Sequence, residues 1–183
     1  SILYSNPNNP SWICLNEEEL NIIGEISKKY DITVIEDLAY FGMDFRKDLS
    51  KQGLAPFQPT VARYTDNYLL LISSSKAFSY AGQRIGMIII STTLYDRRYP
   101  DLKRYYSSEK FGHAMIYGAL YSLSAGASHT AQYALAAIFK AVNDGSYNYI
   151  SEVREYGKKA SIMKHMFQKY GFQIVYDMDL DEP

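Results

Sequence analysis

One cysteine, three histidines and no run of like charge longer than Glu17-Glu18-Glu19 set the first limits on this 183-residue chain. Cys14 alone cannot close an internal disulfide, and no charged segment followed by an apolar signal core opens the sequence. That combination favours a reducing, cytoplasmic setting. Cys14 itself reads as a small apolar residue in a strand or turn. His113, His129 and His165 are spaced too widely for a helical ligand pair and lack cysteine or acidic companions at metal spacing, so no metal site is expected. With 19 basic and 20 acidic residues the formal net charge is −1, which argues against a nucleic-acid surface and against a polybasic membrane anchor. Apolar runs such as Tyr68–Ile72 and Met87–Ile90 fall far below the roughly 18 residues that cross a bilayer. A soluble chain with one main core is the expectation.

What the sequence does contain is an alternation of strand-like and helix-like segments. Asn16, followed three residues later by Glu19, forms a capping-box pattern, and Leu20, Ile23 and Ile26 recur at near-helical spacing, so a helix is predicted over 16–30. Ile32-Thr33-Val34-Ile35 is a β-branched run of the kind found in buried parallel strands, ending at Glu36-Asp37. Residues 46–66 carry Gly53, Pro56 and Pro59 without a period and read as an irregular connection with one helical turn. Tyr68–Ser73 and Ile85–Ser91 are the next strands. About ten residues separate them, too few for a parallel crossover, so they should pair antiparallel in a mixed sheet. Helices are then predicted at 94–107, 111–124 and 128–143, with Asn143-Asp144-Gly145 as a stop, followed by a long helix over 147–170 capped by Gly171. Phe172–Tyr176 reads as the start of a further strand. The 18 tyrosines read as packing residues with a polar tip.

Four polar stretches stand at predicted strand ends: Asn6-Pro7-Asn8-Asn9-Pro10, Asp37-Leu38-Ala39-Tyr40, Ser73-Ser74-Ser75-Lys76 and Gly82-Gln83-Arg84-Ile85-Gly86. In an open α/β sheet the carboxyl ends of the strands form the ligand crevice, so the four stretches are expected to converge. Lys76 is not a nucleotide-loop lysine, because Ser75 and Leu70 occupy the positions where that loop needs glycine. It is either a surface lysine after a strand or a partly desolvated amine suited to forming a Schiff base. Asp37 is a turn or cap residue, or a carboxylate awaiting a cationic partner. Arg84 between two glycines offers a guanidinium fork to a phosphate, or occupies a common turn. Asn9, held between two prolines, is a turn former or a ligand donor.

Taken together, these stretches resemble the fold-type I pyridoxal phosphate enzymes, in particular the class I/II aminotransferases. The shared pattern is Asn-Pro-x-Asn-Pro, then Asp-x-x-Tyr, then Ser-x-Ser-Lys, then arginine eight residues after the lysine, spread here over residues 6–86. The resemblance implies a three-layer α/β/α large domain with a mixed, mostly parallel sheet, incomplete in this chain. It implies that Lys76 is catalytic and forms the Schiff base with pyridoxal 5'-phosphate, acting as base and acid once substrate displaces it. Asp37 would pair with the pyridine nitrogen, Asn9 and Tyr40 with the phenolic oxygen, and Ser73, Ser75 and Arg84 would surround the phosphate.

The implied reaction moves an amino group between an amino acid and a 2-oxo acid, in a homodimer with no nucleic-acid or membrane partner. The same residues would equally serve a carbon–sulfur lyase, another enzyme of this fold, or the aminotransferase-like sensor domain of a transcription regulator. Two departures from the family pattern stand out. Trp12 occupies a position where the family usually has glycine, so either the loop there differs or this is an unusual member of the family. The family's glycine-rich phosphate loop, its ring-stacking aromatic residue and its substrate-carboxylate arginine have no counterpart in these 183 residues. The chain is therefore expected to be a piece of a longer protein and inactive alone, with residues 1–146 from the large cofactor-binding domain and 147–183 the linking helix and the start of a small domain.

Overall fold

The computed structural model describes residues 1–46 and 53–175. Its centre is a four-stranded sheet in the order β1 (Ile2–Ser5), β2 (Val34–Leu38), β3 (Tyr68–Ser73), β4 (Gly86–Ile90). The first three strands run parallel, and β4 returns antiparallel along β3. The mixed sheet expected from the short interval before β4 is present. Ser73 pairs with Gly86, where an added Cβ would lie 2.8 Å from the carbonyl oxygen of Ile72, so only glycine allows this approach.

Helix α1 (Glu17–Tyr30) connects β1 to β2. Its start carries the predicted capping box: Asn16 Oδ1 accepts from Glu19 N–H at 2.9 Å, and Glu19 Oε2 accepts from Asn16 N–H at 2.9 Å. Three glutamates in the first turn and Lys28 and Lys29 in the last complement the helix dipole. Leu20 of α1 meets Val34, Leu38, Val61 and Leu70 in the main core, with Ile23 and Tyr64 packed around them. Leu20, Val34, Leu38 and Val61 are at most 1% exposed, and each such side chain stabilises the fold by about 1.5–3 kcal/mol. Strand β2 alternates: Val34, Glu36 and Leu38 enter this core, while Ile35 and Asp37 face the other side of the sheet.

Beyond β3 come α2 (Ser74–Ala77) and, after β4, α3 (Thr92–Asp96). The helix expected over 94–107 is broken. The chain leaves α3 at Asp96, bridges Arg98 to Lys110, and makes a 3₁₀ turn only at Pro100–Arg104. Pro100 explains the break, because it lacks an N–H and biases Tyr99 to the extended conformation it adopts, at φ −126° and ψ 104°. The segment expected over 111–124 is helical but composite: α4 (Phe111–His113) passes through a π-helical stretch at Ala114–Tyr121 into α5 (Ser122–Ser124). Helices α6 (His129–Asn143) and α7 (Tyr149–Lys169) match their predicted spans closely. In the 46–66 connection, residues 53–66 hold one 3₁₀ turn, Val61–Arg63, and residues 47–52 lie outside the described residues.

The strand expected at Phe172 does not form over residues 172–175, and Tyr176 lies outside the described residues. Gly171 turns the chain at φ +86°, and Phe172 folds back so that its N–H reaches Phe167 O at 3.0 Å. The start of α7 is anchored beside the sheet. Tyr149 stacks on Phe41 at 5.7 Å and lies 5.2 Å from Phe78, and Tyr149, Ile150 and Ala77 form a second buried cluster. Among the described residues no helix is long and apolar enough to cross a membrane, and no group of three or more metal-ligating side chains is present.

Candidate active site at the carboxyl end of the sheet

Strands β1, β2 and β3 all finish at the same end of the sheet, and the antiparallel β4 begins there. The polar stretches follow β1, overlap the ends of β2 and β3, and lead into β4, so all four reach one rim. Asp37, Ser73, Ser75 and Arg84 line a single open cleft of about 330 Å³, whose apolar wall includes Leu71, Ile88 and, from the π-helical segment, Leu120.

Asp37 is half-buried. One carboxylate oxygen accepts from Ala39 N–H at 2.9 Å, which shapes the turn after β2, and no cation pairs with the carboxylate among the described residues. Ser73 caps α2 by accepting from Ser75 N–H at 3.1 Å. This sharp strand-to-helix change aims the short α2 segment, and with it Lys76, from the sheet rim. Buried Ser74 holds the opposite side of the turn by donating to Ile85 O.

Lys76 is exposed, so the desolvation considered for it is not supplied by the described residues. Its Nζ lies 5.9 Å from the centroid of the Tyr40 ring. Tyr40 Oη accepts from Asn9 Nδ2 at 3.0 Å. Because Asn9 donates in that bond, the phenol proton of Tyr40 remains free for another acceptor.

Arg84 sits in the left-handed region at φ 52°, with Nη1 donating to Ala81 O at 2.9 Å. Trp12 is also left-handed, at φ 61°. That backbone costs a residue with a Cβ about 1–2 kcal/mol and is free for glycine. The loop at Trp12 thus holds a backbone conformation that glycine takes freely. The indole stacks on Phe45 and meets the edge of Tyr40. Neither contact was visible in the sequence, since Phe45 lies 33 residues away and carries no motif.

A buried network that sequence reasoning missed holds the Asn6–Pro10 loop against the sheet. Glu36 is fully buried. It accepts from Asn6 Nδ2 at 3.1 Å and from Val61 N–H at 2.8 Å. Asn6 Oδ1 in turn accepts from Leu15 N–H at 3.0 Å, and Gln58 bridges Asn6 O to Gly42 N–H. Burial pushes the Glu36 carboxyl above the ordinary carboxylate range, against the opposing effect of these donors. Tyr4 Oη is buried beside Glu36 without a hydrogen bond of good geometry, and burial together with the neighbouring carboxylate pushes its pKa far up. The only available signal was the position of Glu36, next to Asp37 but on the core face.

Cys14 and the histidines stand apart from the cleft. Cys14 is buried, with Sγ 3.6 Å from Trp12 O. The His113 and Tyr117 rings meet at a tilt of 42° with centroids 4.6 Å apart, in a separate surface depression with Lys103 and Arg104.

The chain belongs to the family described as aminotransferase class I and II, whose sequence model matches residues 1–177. A relative from Bacillus subtilis (strain 168), named "Putative aminotransferase YugH", is 28% identical over 96 residues, which is 52% of this chain and 23% of that protein. Among solved structures, an aspartate aminotransferase double mutant from Thermus thermophilus matches with a TM-score of 0.66 at 15% identity, covering 93% of this chain and 38% of that one. A PLP-bound C–S lyase from Staphylococcus hominis matches with a TM-score of 0.53 at 20% identity, covering 90% of this chain and 35% of that one. These likenesses establish the fold. The matched segments cover under a quarter of the length of the curated relatives.

Proposed function

We propose that this chain belongs to a pyridoxal phosphate-dependent aminotransferase that moves an amino group between an amino acid and a 2-oxo acid, and that the rim cleft is its cofactor site. The observation that supports this most strongly is the meeting, at one end of the sheet, of a complementary donor set. Ser73, Ser75 and Arg84 suit a phosphate, and Asp37, with no cation paired to it among the described residues, suits a protonated ring nitrogen. The Asn9–Tyr40 pair has a free phenol proton for a ring oxygen, and Lys76 offers an accessible amine.

When bound, pyridoxal phosphate supplies an electron sink for the bonds at the substrate α-carbon. Asp37 would hold the proton on the ring nitrogen. Lys76 Nζ would hold the cofactor through its aldehyde carbon, whose oxygen leaves as water, and once displaced by substrate its amine would accept and return the proton at the substrate α-carbon. Arg84 and the serines hold the phosphate so that these groups stay in register. Family membership points to amino acid and oxo acid substrates, and the homodimer implied by the resemblance goes with this reading.

Borohydride reduction of the cofactor-loaded full-length protein followed by peptide mapping tests the assignment. The label is expected on Lys76, and label on any other lysine would overturn it. Assaying the same preparation for oxo acid against ammonia release separates transamination from the elimination chemistry that this fold also hosts in a C–S lyase.

A further inference from the structure

Trp12 is the only tryptophan of the chain and one of five described non-glycine residues with positive φ. Its indole lies against two rings. It stacks on Phe45 with centroids 5.8 Å apart and planes 17° apart, and meets Tyr40 edge-on at 5.1 Å and 64°. Phe45 is itself backed by α7, because a Cβ added at Gly157 would lie 2.9 Å from its ring. Trp12 is therefore a wedge between a ring seated on α7 and the ring that carries the hydroxyl bonded to Asn9.

The loop path does not need the side chain. Trp12 N–H reaches Asn8 O at 2.8 Å, a backbone contact that glycine would keep without strain. A bulky residue persists in the left-handed region only where its surroundings over-determine it, and here those surroundings are Phe45 and Tyr40.

We propose that Trp12 is a positioning residue that holds the Tyr40 ring so that its hydroxyl stays paired with Asn9 and its proton is directed to the cofactor's ring oxygen. The inference rests on the reading of the cleft given above. A phenol donor to that oxygen favours its anionic form and lowers the pH at which the Lys76-linked cofactor titrates. Loosening Tyr40 should raise that pH.

The test follows the absorbance of bound cofactor against pH in the full-length holoprotein and in Trp12→Gly, Trp12→Leu, Trp12→Phe and Tyr40→Phe, with thermal unfolding recorded separately. Tyr40→Phe should move the midpoint up by about one pH unit, Trp12→Gly and Trp12→Leu should move it in the same direction, and Trp12→Phe should stay near wild type. If Tyr40→Phe shifts the midpoint and neither Trp12→Gly nor Trp12→Leu does, Trp12 is a packing residue and the proposal fails, whatever the unfolding temperatures show. A Tyr40→Phe variant that titrates as wild type would instead overturn the reading of the cleft on which the proposal rests.

Discussion

Glu36 and Asp37 are neighbours on β2, and the alternation of the strand sends the first carboxylate into the core and the second to the cleft. Burial raises the pKa of Glu36, so the folded state holds its proton more tightly than the unfolded chain. Its contribution to stability is then full below the unfolded value and is lost as pH rises through the folded one. Glu36→Gln keeps one acceptor oxygen and sets an amide N–H₂ against the other donor, at a cost of about 1–3 kcal/mol. The prediction is that Glu36→Gln destabilises most at pH values below the ordinary carboxylate range, and that the gap to wild type narrows as pH rises. Denaturant unfolding at a series of pH values measures it. A gap that widened with pH would contradict a raised pKa. For Asp37→Asn the expectation is the reverse kind of effect. Unfolding should change little, while turnover in the full-length enzyme should fall by about a hundredfold or more, roughly 2.7 kcal/mol, because a neutral amide cannot keep the ring nitrogen protonated. Wild-type turnover in that variant would remove Asp37 from the site.

Among the elements, α1 shows how packing overrides propensity. Replacing a glycine by alanine inside a helix ordinarily stabilises by about 1 kcal/mol. At Gly24, however, the new Cβ would lie 2.5 Å from Tyr64 Cβ and 3.0 Å from Tyr64 O. Both are close to the backbone and cannot swing aside, and such overpacking costs about 1–3 kcal/mol. Gly24→Ala is therefore predicted to lower the unfolding midpoint, which a thermal or urea melt decides by its sign. The sequence readily shows α1, because its cap, its apolar spacing and its charges all agree. It fails over 94–107, where a helical composition hid the effect of Pro100. It also gives no sign of the π-helical stretch, in which Tyr106 seats so closely on Gly118 that an added Cβ would lie 2.1 Å from the ring. That contact joins residues from two segments, and no local pattern encodes it.

At the scale of the molecule, the rim cleft is open, and on the proposed reading its residues would give only part of a hold on pyridoxal phosphate. The family resemblance implies that a glycine-rich loop and a ring-stacking residue, beyond the residues of this cleft, add to the hold. Two hydrogen bonds to a charged group, each worth about 1.5–3 kcal/mol, correspond to roughly two to four powers of ten in affinity. The isolated chain is thus predicted to bind the cofactor at least about a hundredfold more weakly than the full-length protein, as an absorbance titration of both would show. Equal affinity would mean that the described residues suffice. The sequence by itself determined three of the four strands, most of the helices and the four polar stretches, since local periodicity, caps and fixed spacings are properties of neighbouring residues. Only the tertiary structure decided that Asn9 and Tyr40 bond across 31 positions. It also decided that Glu36 locks the loop beneath them and that Trp12 leans on Tyr40. These pairings arise from the register of the sheet and the packing of distant side chains, and neither is written in the spacing of residues along the chain.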